Sequence, residues 1–264
     1  RAYLELAGRI PTIDEARAFC DSTNKKKRGQ LIDDLLESPG YVSHFYNYWA
    51  DILRLKERPS RDLFFEPYMA WVKETIAENM PYDKWVYTLL TANGRVIENP
   101  ATGFQLRDAG MPLSYVDNTV RVFLGTQIGC AQCHDHPFDD WSQMDYYQLA
   151  AFSTPVRSVR RTESMDKAIQ IARNKIKVPR GNKRKAVAMK NNGTRQLQRA
   201  FQGLTDNFRN SIVRETKTPL KLPDDYQYDD AKPNEVILPA TPFGESVEIK
   251  IGQSRAEIYA DWMT

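Results

Sequence analysis

Residues 129–139 read GCAQCHDHPFD and hold most of the cysteine and histidine of a 264-residue chain. Two of the three cysteines, Cys130 and Cys133, lie here, together with two of the three histidines, His134 and His136. The order Cys-x-x-Cys-His is the attachment signature of a c-type haem. In that chemistry the two thiols bond vinyl-derived carbons of the porphyrin, and the next histidine supplies the proximal nitrogen to the iron. The spacing therefore predicts one covalent haem c on Cys130 and Cys133, with His134 as its iron ligand.

Two other chemistries use the same residue types. A structural zinc ion could take Cys130, Cys133, His134 and His136 as ligands, although zinc sites usually spread their ligands over two separated pairs. A redox dithiol of the Cys-x-x-Cys type is a further alternative, although its usual strand-then-helix context is weak here. Zinc, the dithiol and a coincidental pattern all stay open beside the haem.

The motif block FLGTQIGCAQCHDHPFDDWSQMDYYQLAAF resembles the signature of the planctomycete cytochrome-C-type domain of unknown function. A second planctomycete-specific domain normally follows this domain. The similarity extends to YLELAGRIPTIDEARAF, YWADILR, PYDKWVYTLLTANG, LPDDYQYDDAKPNEVILPATPFG and SRAEIYADWMT. The resemblance implies export across the inner membrane but no demonstrated activity.

These observations lead to one functional expectation. We expect a periplasmic or extracellular c-type cytochrome domain, part of a longer exported protein, that transfers electrons to or from a partner oxidoreductase. An exported dehydrogenase acting on sugars is a partner suggested by analogy of lifestyle alone. An electron-transfer role is favoured over an enzymatic one. The alternatives are a haem enzyme or sensor with an open distal site, and a zinc-stapled structural or binding module without haem.

The motif contains further polar residues beside the proximal ligand. His136 lies two residues beyond His134 and cannot swing to the opposite face of the same haem. We therefore predict that it supports His134 indirectly, through hydrogen bonds with Asp135 or Asp139.

Three residues elsewhere are candidates for the distal side. His44 is the one remaining histidine and lies on the predicted helix YVSHFYNYWADILR, one turn before Tyr48 on the same face. Members of the resembled family often carry a histidine where this chain has Tyr48, so His44 could replace it. Met111, in the loop before the motif helix, resembles the loop methionine that closes the haem in small cytochromes. An open or Tyr48-facing distal side would favour small-ligand binding.

Charge is distributed unevenly along the chain. Residues 157–199 contain 14 Lys and Arg against 2 Asp and Glu, so this segment carries +12 although the whole chain carries only +3. We predict a basic, partly flexible insertion that could bind an acidic glycan or an acidic protein. The segment contains no aromatic residue, which disfavours nucleic acid as its partner.

Hydropathy patterning predicts a mainly α, multi-helix single domain over residues 1–264, with long loops and minor β structure near the C-terminus. A capping box of Thr12 and Glu15 begins one helix. The other helices are predicted around Leu31, from 41 to 55, from 65 to 80, from 82 to 92, from Ser114 directly into Cys130, from 145 to 152, and at the C-terminus. Residues 93–112 are predicted as a long loop, SVEIKI as an edge strand, and Cys20 as a buried core residue. No apolar run is long enough to span a membrane.

Overall fold

The computed structural model describes residues 1–59, 64–108, 111–153, 212–213, 219–242 and 253–264, with short stretches between 167 and 196. The fold is mainly α, as predicted. The helices are α1 (Ala2–Ala7), α2 (Ile13–Asp21), α3 (Lys27–Leu36), α4 (Pro39–Ile52), α5 (Glu66–Ala77), α6 (Tyr82–Thr91), α7 (Thr102–Leu106), α8 (Pro112–Phe123), α9 (Gln143–Ala150) and α10 (Arg255–Met263). A 3₁₀ turn, Gly129–Gln132, lies between α8 and α9 and is called the motif turn below. The short strands are β1 (Gly94–Arg95), β2 (Ile212–Val213), β3 (Leu220–Lys221) and β4 (Val236–Ile237).

Local sequence signals explain the starts of several helices. Thr12 and Glu15 form the predicted capping box of α2, and Ser142 with Asp145 forms another at the start of α9. Ser38 caps α4 by accepting a hydrogen bond from the Tyr41 backbone N–H at 3.3 Å. The predicted positions of α2 to α6, of α9 and α10, and of the start of α8 are confirmed to within a few residues.

The prediction of a continuous loop over residues 93–112 was wrong. This segment contains β1 and the short helix α7, whose five residues are all buried. The Gln105 amide donates to the carbonyl oxygens of Leu90 at 3.0 Å and Ala92 at 2.6 Å, so α7 closes the carbonyl end of α6. Gly103 lies against the Tyr68 ring, and a Cβ there would stand 2.3 Å from the ring's Cγ atom. Long-range packing thus makes a helix where composition predicts a loop.

Two further expectations are corrected. Cys20 is exposed rather than buried. The helix before the motif begins at Pro112 and ends at Phe123, so it does not run directly into Cys130.

The core is formed by side chains from Tyr46 on α4 to Ala260 on α10. α10 packs on α6, α4 packs on α1 and α5, and α8 packs on α9. The largest fully buried side chains include Tyr68 on α5, Tyr146 on α9 and Tyr259 on α10. Two small antiparallel pairs, β1 with β2 and β3 with β4, complete the described fold.

Some predictions concern residues that are largely outside the described ones. The basic insertion at 157–199 and the SVEIKI strand fall in this category. Among the helices of the described residues, none combines the length and apolar character needed to cross a bilayer.

Candidate functional site

Residues 124–128 connect α8 to the motif turn. Gly125 adopts a φ of +68°, a conformation that costs glycine little. Ile128 and Ala131 are fully buried on either side of Gly129. These two apolar anchors hold the motif turn against the core while the residues between and after them face solvent.

Cys130 and Cys133 lie one turn apart in the 3₁₀ motif turn and its C-cap. The Cys133 backbone N–H donates to the Cys130 carbonyl oxygen at 3.2 Å. Side chains three residues apart are eclipsed in a 3₁₀ turn. Both cysteines are free and exposed. The arrangement therefore presents two accessible thiols on one side of the turn.

His134 is exposed and has one ring nitrogen engaged. Its Nδ1 lies 2.7 Å from the Asp135 carbonyl oxygen. Because a carbonyl only accepts, Nδ1 carries the proton in this contact, and in the neutral imidazole Nε2 then keeps its lone pair. A histidine that ligates a metal usually donates its other N–H to a carbonyl or carboxylate in this way. The ring is thus set up to offer Nε2 to a metal.

Asp135 is itself held by two groups outside the turn. Its backbone N–H donates to the Tyr228 hydroxyl at 2.7 Å, across 93 residues of sequence. Its carboxylate Oδ1 accepts from the Gln143 backbone N–H at 2.8 Å. The carbonyl that receives the His134 proton therefore belongs to a residue fixed from two sides.

Gln143 ties the motif turn to the first turn of α9. Its side chain is buried and donates from Nε2 to the Gln132 carbonyl oxygen at 3.0 Å. The capping box of Ser142 and Asp145 begins the helix one residue earlier. The motif turn and the N-terminus of α9 consequently form one hydrogen-bonded unit.

His136 and its neighbours close the loop that follows the turn. The His136 backbone N–H donates to the Trp141 carbonyl oxygen at 2.7 Å, and its Nδ1 accepts from the Phe138 backbone N–H at 3.3 Å. The Phe138 side chain is 93% exposed, and Asp139 is exposed beside it. Of the predicted supporting residues, Asp135 contacts the His134 ring directly and His136 shapes the loop, while Asp139 makes no hydrogen bond within the described residues.

The structure places His44 and Tyr48 on α4. The His44 ring packs so closely on Gly8 of α1 that a Cβ there would lie 2.5 Å from its Nδ1. Tyr48 is 56% exposed, and its ring contacts Trp49 edge-on. α4 packs on α1, α3 and α5, whereas the motif turn packs on α9. These contacts do not bring His44 or Tyr48 to the motif turn.

Met111 is also separated from the motif turn. It precedes α8, where the Tyr146 hydroxyl donates to the Leu113 carbonyl oxygen at 2.7 Å and the Ser153 hydroxyl lies 3.4 Å from that of Pro112. Ser153 follows the C-terminus of α9, while the motif turn contacts its N-terminus. α9 has 8 residues and is therefore about 12 Å long. Met111 thus lies towards the opposite end of α9, with its side chain 53% exposed.

Tyrosines surround the turn on its protein side. Burial, and then the neighbouring Cys133 and Asp225, raises the pKa of Tyr147. Burial, and then the hydrogen bond to Asp230, raises the pKa of Tyr226. Their hydroxyls are neutral over the physiological pH range and act as hydrogen-bonding groups rather than charges.

An aromatic cleft of about 220 Å³ lies elsewhere, between α4, α5 and α6. No residue of the motif lines it. Its walls are Tyr41, Phe45, Trp49, Thr75, Ile76, Asn79, Met80, Tyr82 and Trp85. Within the described residues, no three His, Cys, Asp or Glu side chains are grouped so as to hold a metal ion.

The profile of one protein family, PSCyt2, a protein of unknown function (DUF1549), matches residues 1–158. This match spans more than half of the chain. The chain belongs to the PSCyt2 family. It is thus a planctomycete-type domain of unknown function, as the resemblance indicated. No curated protein and no solved structure matches the chain.

The PSCyt2 match contains the motif, Asp135 and Gln143 but ends before Tyr228. Sequence reasoning did not find Tyr228 or Gln143 as parts of the site. Nothing in the local sequence LPDDYQYDD predicts that Tyr228 contacts Asp135, because the contact forms only in the folded chain. The capping pattern at Ser142 and Asp145 was the one available signal that Gln143 begins a helix beside the motif.

Proposed function

We propose that this chain binds one haem c through thioether bonds from Cys130 and Cys133, with His134 as the proximal ligand, and exchanges electrons with a partner protein. One observation carries the proposal. His134 has its Nδ1 directed to the Asp135 carbonyl, its Nε2 has no partner within the described part of the chain, and it comes directly after two free, exposed thiols. The donor set fits a c-type haem, which needs a single protein nitrogen on its proximal side.

A bound haem would supply one-electron exchange at its iron. The residues of the chain would hold and tune it. Cys130 and Cys133 would anchor the porphyrin, and His134 would donate Nε2. The Asp135 carbonyl would keep the imidazole in one tautomer and raise its basicity.

The exposure of the motif supports exchange with another protein. Phe138, Cys130 and Cys133 are all exposed, so the residues that would hold the haem are open to a partner protein. We propose that the partner is an exported oxidoreductase, and that both act in the periplasm or outside the cell, where c-type haem is attached. The basic segment 157–199 would give the chain a second, separate means of contacting an acidic glycan or protein.

Expression in a host with active periplasmic haem-attachment machinery tests the proposal. We expect a sharp Soret band, reduced α and β bands and a denatured mass increased by one haem. Cys130→Ala and Cys133→Ala should each lose at least one thioether bond. Cys20→Ala is the matched control, because Cys20 is also exposed but lies outside the motif. A colourless protein at apo mass would refute the proposal, and stoichiometric zinc in it would favour the zinc-stapled module.

A haem enzyme or sensor with an open distal side is the second candidate function. Two positions favour it. His44 packs on Gly8 at the end of α1, and Met111 lies towards the C-terminal end of α9, whereas the motif turn contacts the N-terminal end. Cyanide and CO titrations of the loaded protein separate the two functions. Rapid binding to the resting protein would favour the enzyme or sensor, and resistance to both ligands would favour electron transfer.

A further inference from the structure

Three hydrogen bonds converge on Asp135. Its carbonyl oxygen accepts from His134 Nδ1 at 2.7 Å, its N–H donates to the Tyr228 hydroxyl at 2.7 Å, and its Oδ1 accepts from the Gln143 N–H at 2.8 Å. Asp135 has no regular helical or strand backbone to hold it. The Asp135 carbonyl belongs to the peptide that also carries the His136 N–H, which donates to the Trp141 carbonyl oxygen at 2.7 Å, so its direction is set by that bond together with these contacts. Tyr228 is the partner that comes from a distant part of the chain.

Tyr228 is held by contacts within the segment 220–237. Its ring packs edge-on against Tyr226 at a centroid distance of 5.5 Å, and Tyr226 is buried with its hydroxyl donating to Asp230 at 2.7 Å. The strands β3 and β4 enclose this segment, with Leu220 opposite Ile237. β3 packs on α9, the same helix that holds the motif turn. The segment that carries Tyr228 and the motif turn therefore both pack on α9.

We propose that Tyr228 is a positioning residue for His134. It restrains the peptide that joins His134 to Asp135, and the Asp135 carbonyl in the next peptide in turn selects the Nδ1–H tautomer and the ring orientation of His134. The segment 219–237 therefore completes a site whose other residues lie within the family match at 1–158. The consequence for haem rests on the proposed function, whereas the effect on the His134 tautomer does not.

The first test uses the full chain without haem. Long-range ¹H–¹⁵N NMR at about pH 9, above the ordinary range of imidazole titration, reports the tautomer of each histidine. We expect Nδ1–H for His134 and Nε2–H for His136, because His136 Nδ1 accepts from Phe138. Tyr228→Phe should return His134 to the mixture shown by a solvent-exposed imidazole. An unchanged His134 tautomer in Tyr228→Phe would overturn the proposal.

Tyr226→Phe is the matched control, since it removes a hydroxyl from the same segment without touching Asp135. It should leave the His134 tautomer as in the wild type. If both variants change it equally, loosening of the segment is responsible and the specific role of Tyr228 is refuted. Thermal melts of both variants establish that each is folded.

The second test uses the haem-loaded chain. Loss of a supporting hydrogen bond to a ligating histidine typically costs 10–100-fold in metal affinity or activity. If Tyr228→Phe weakens the preference of His134 for ferric over ferrous iron by about tenfold, the reduction potential rises by about 59 mV. An unchanged potential would overturn the role of Tyr228 while leaving haem attachment intact. A tautomer change in a chain that never takes up haem would instead support Tyr228 and refute the proposed function.

Discussion

Replacing Tyr68 by phenylalanine removes one oxygen atom from the centre of the core. Tyr68 is 1% exposed, and its hydroxyl has no hydrogen-bond partner within the described part of the chain. A buried polar group left unsatisfied costs about 1–3 kcal/mol. Since Tyr68→Phe removes that cost and keeps the ring packing, we expect the free energy of unfolding to rise by about 1 kcal/mol.

Tyr146→Phe makes the same chemical change at a residue with a partner. The Tyr146 ring is also fully buried, but its hydroxyl donates to the Leu113 carbonyl oxygen at 2.7 Å. The substitution removes this part-buried hydrogen bond. We therefore expect a loss of about 1–2 kcal/mol, opposite in sign to the effect of Tyr68→Phe.

Urea unfolding followed by fluorescence and circular dichroism measures both changes. The two variants must share the wild-type m value for their midpoints to be compared as free energies. A destabilised Tyr68→Phe would refute the reasoning, because it would mean that the hydroxyl has a partner in solution, such as a buried water molecule.

Two further predictions concern the same core. Gly103→Ala should destabilise the protein by about 3 kcal/mol in urea unfolding, because the new Cβ would meet the Tyr68 ring at 2.3 Å. Gly29→Ala, on α3 with open space around it, should instead stabilise by about 0.5–1 kcal/mol, and equal effects would contradict the packing argument. Burial raises the pKa of Tyr68, Tyr115 and Tyr259 well above 10, so the folded state retains protons that the unfolded state loses. The contribution of each of these tyrosines to stability is then fully present below about pH 10. Above that pH the free energy of unfolding falls by about 1.4 kcal/mol per pH unit for each tyrosine. A slope in Tyr68→Phe as steep as that of the wild type would contradict this assignment.

The sequence by itself determined the features whose causes are local. Cys130, Cys133 and His134 are neighbours, so their spacing alone yields the prediction of a haem site, without knowledge of the fold. Thr12 and Glu15 lie three residues apart and begin α2 as predicted, because a capping box is closed within one turn. The periodicity of α4, α5 and α8 likewise predicted their existence and approximate limits.

Only the tertiary structure decided which distant groups meet. The contact of Tyr228 with Asp135 spans 93 residues, and the bonds of Gln105 that stabilise α7 reach back to α6. Helix packing likewise places His44 against Gly8, and Met111 towards the end of α9 that is farther from the motif turn. Such contacts depend on the burial of many apolar side chains at once, and no short stretch of sequence records them. The chain's local pattern therefore predicts the chemistry of the motif, while long-range packing determines what supports its histidine.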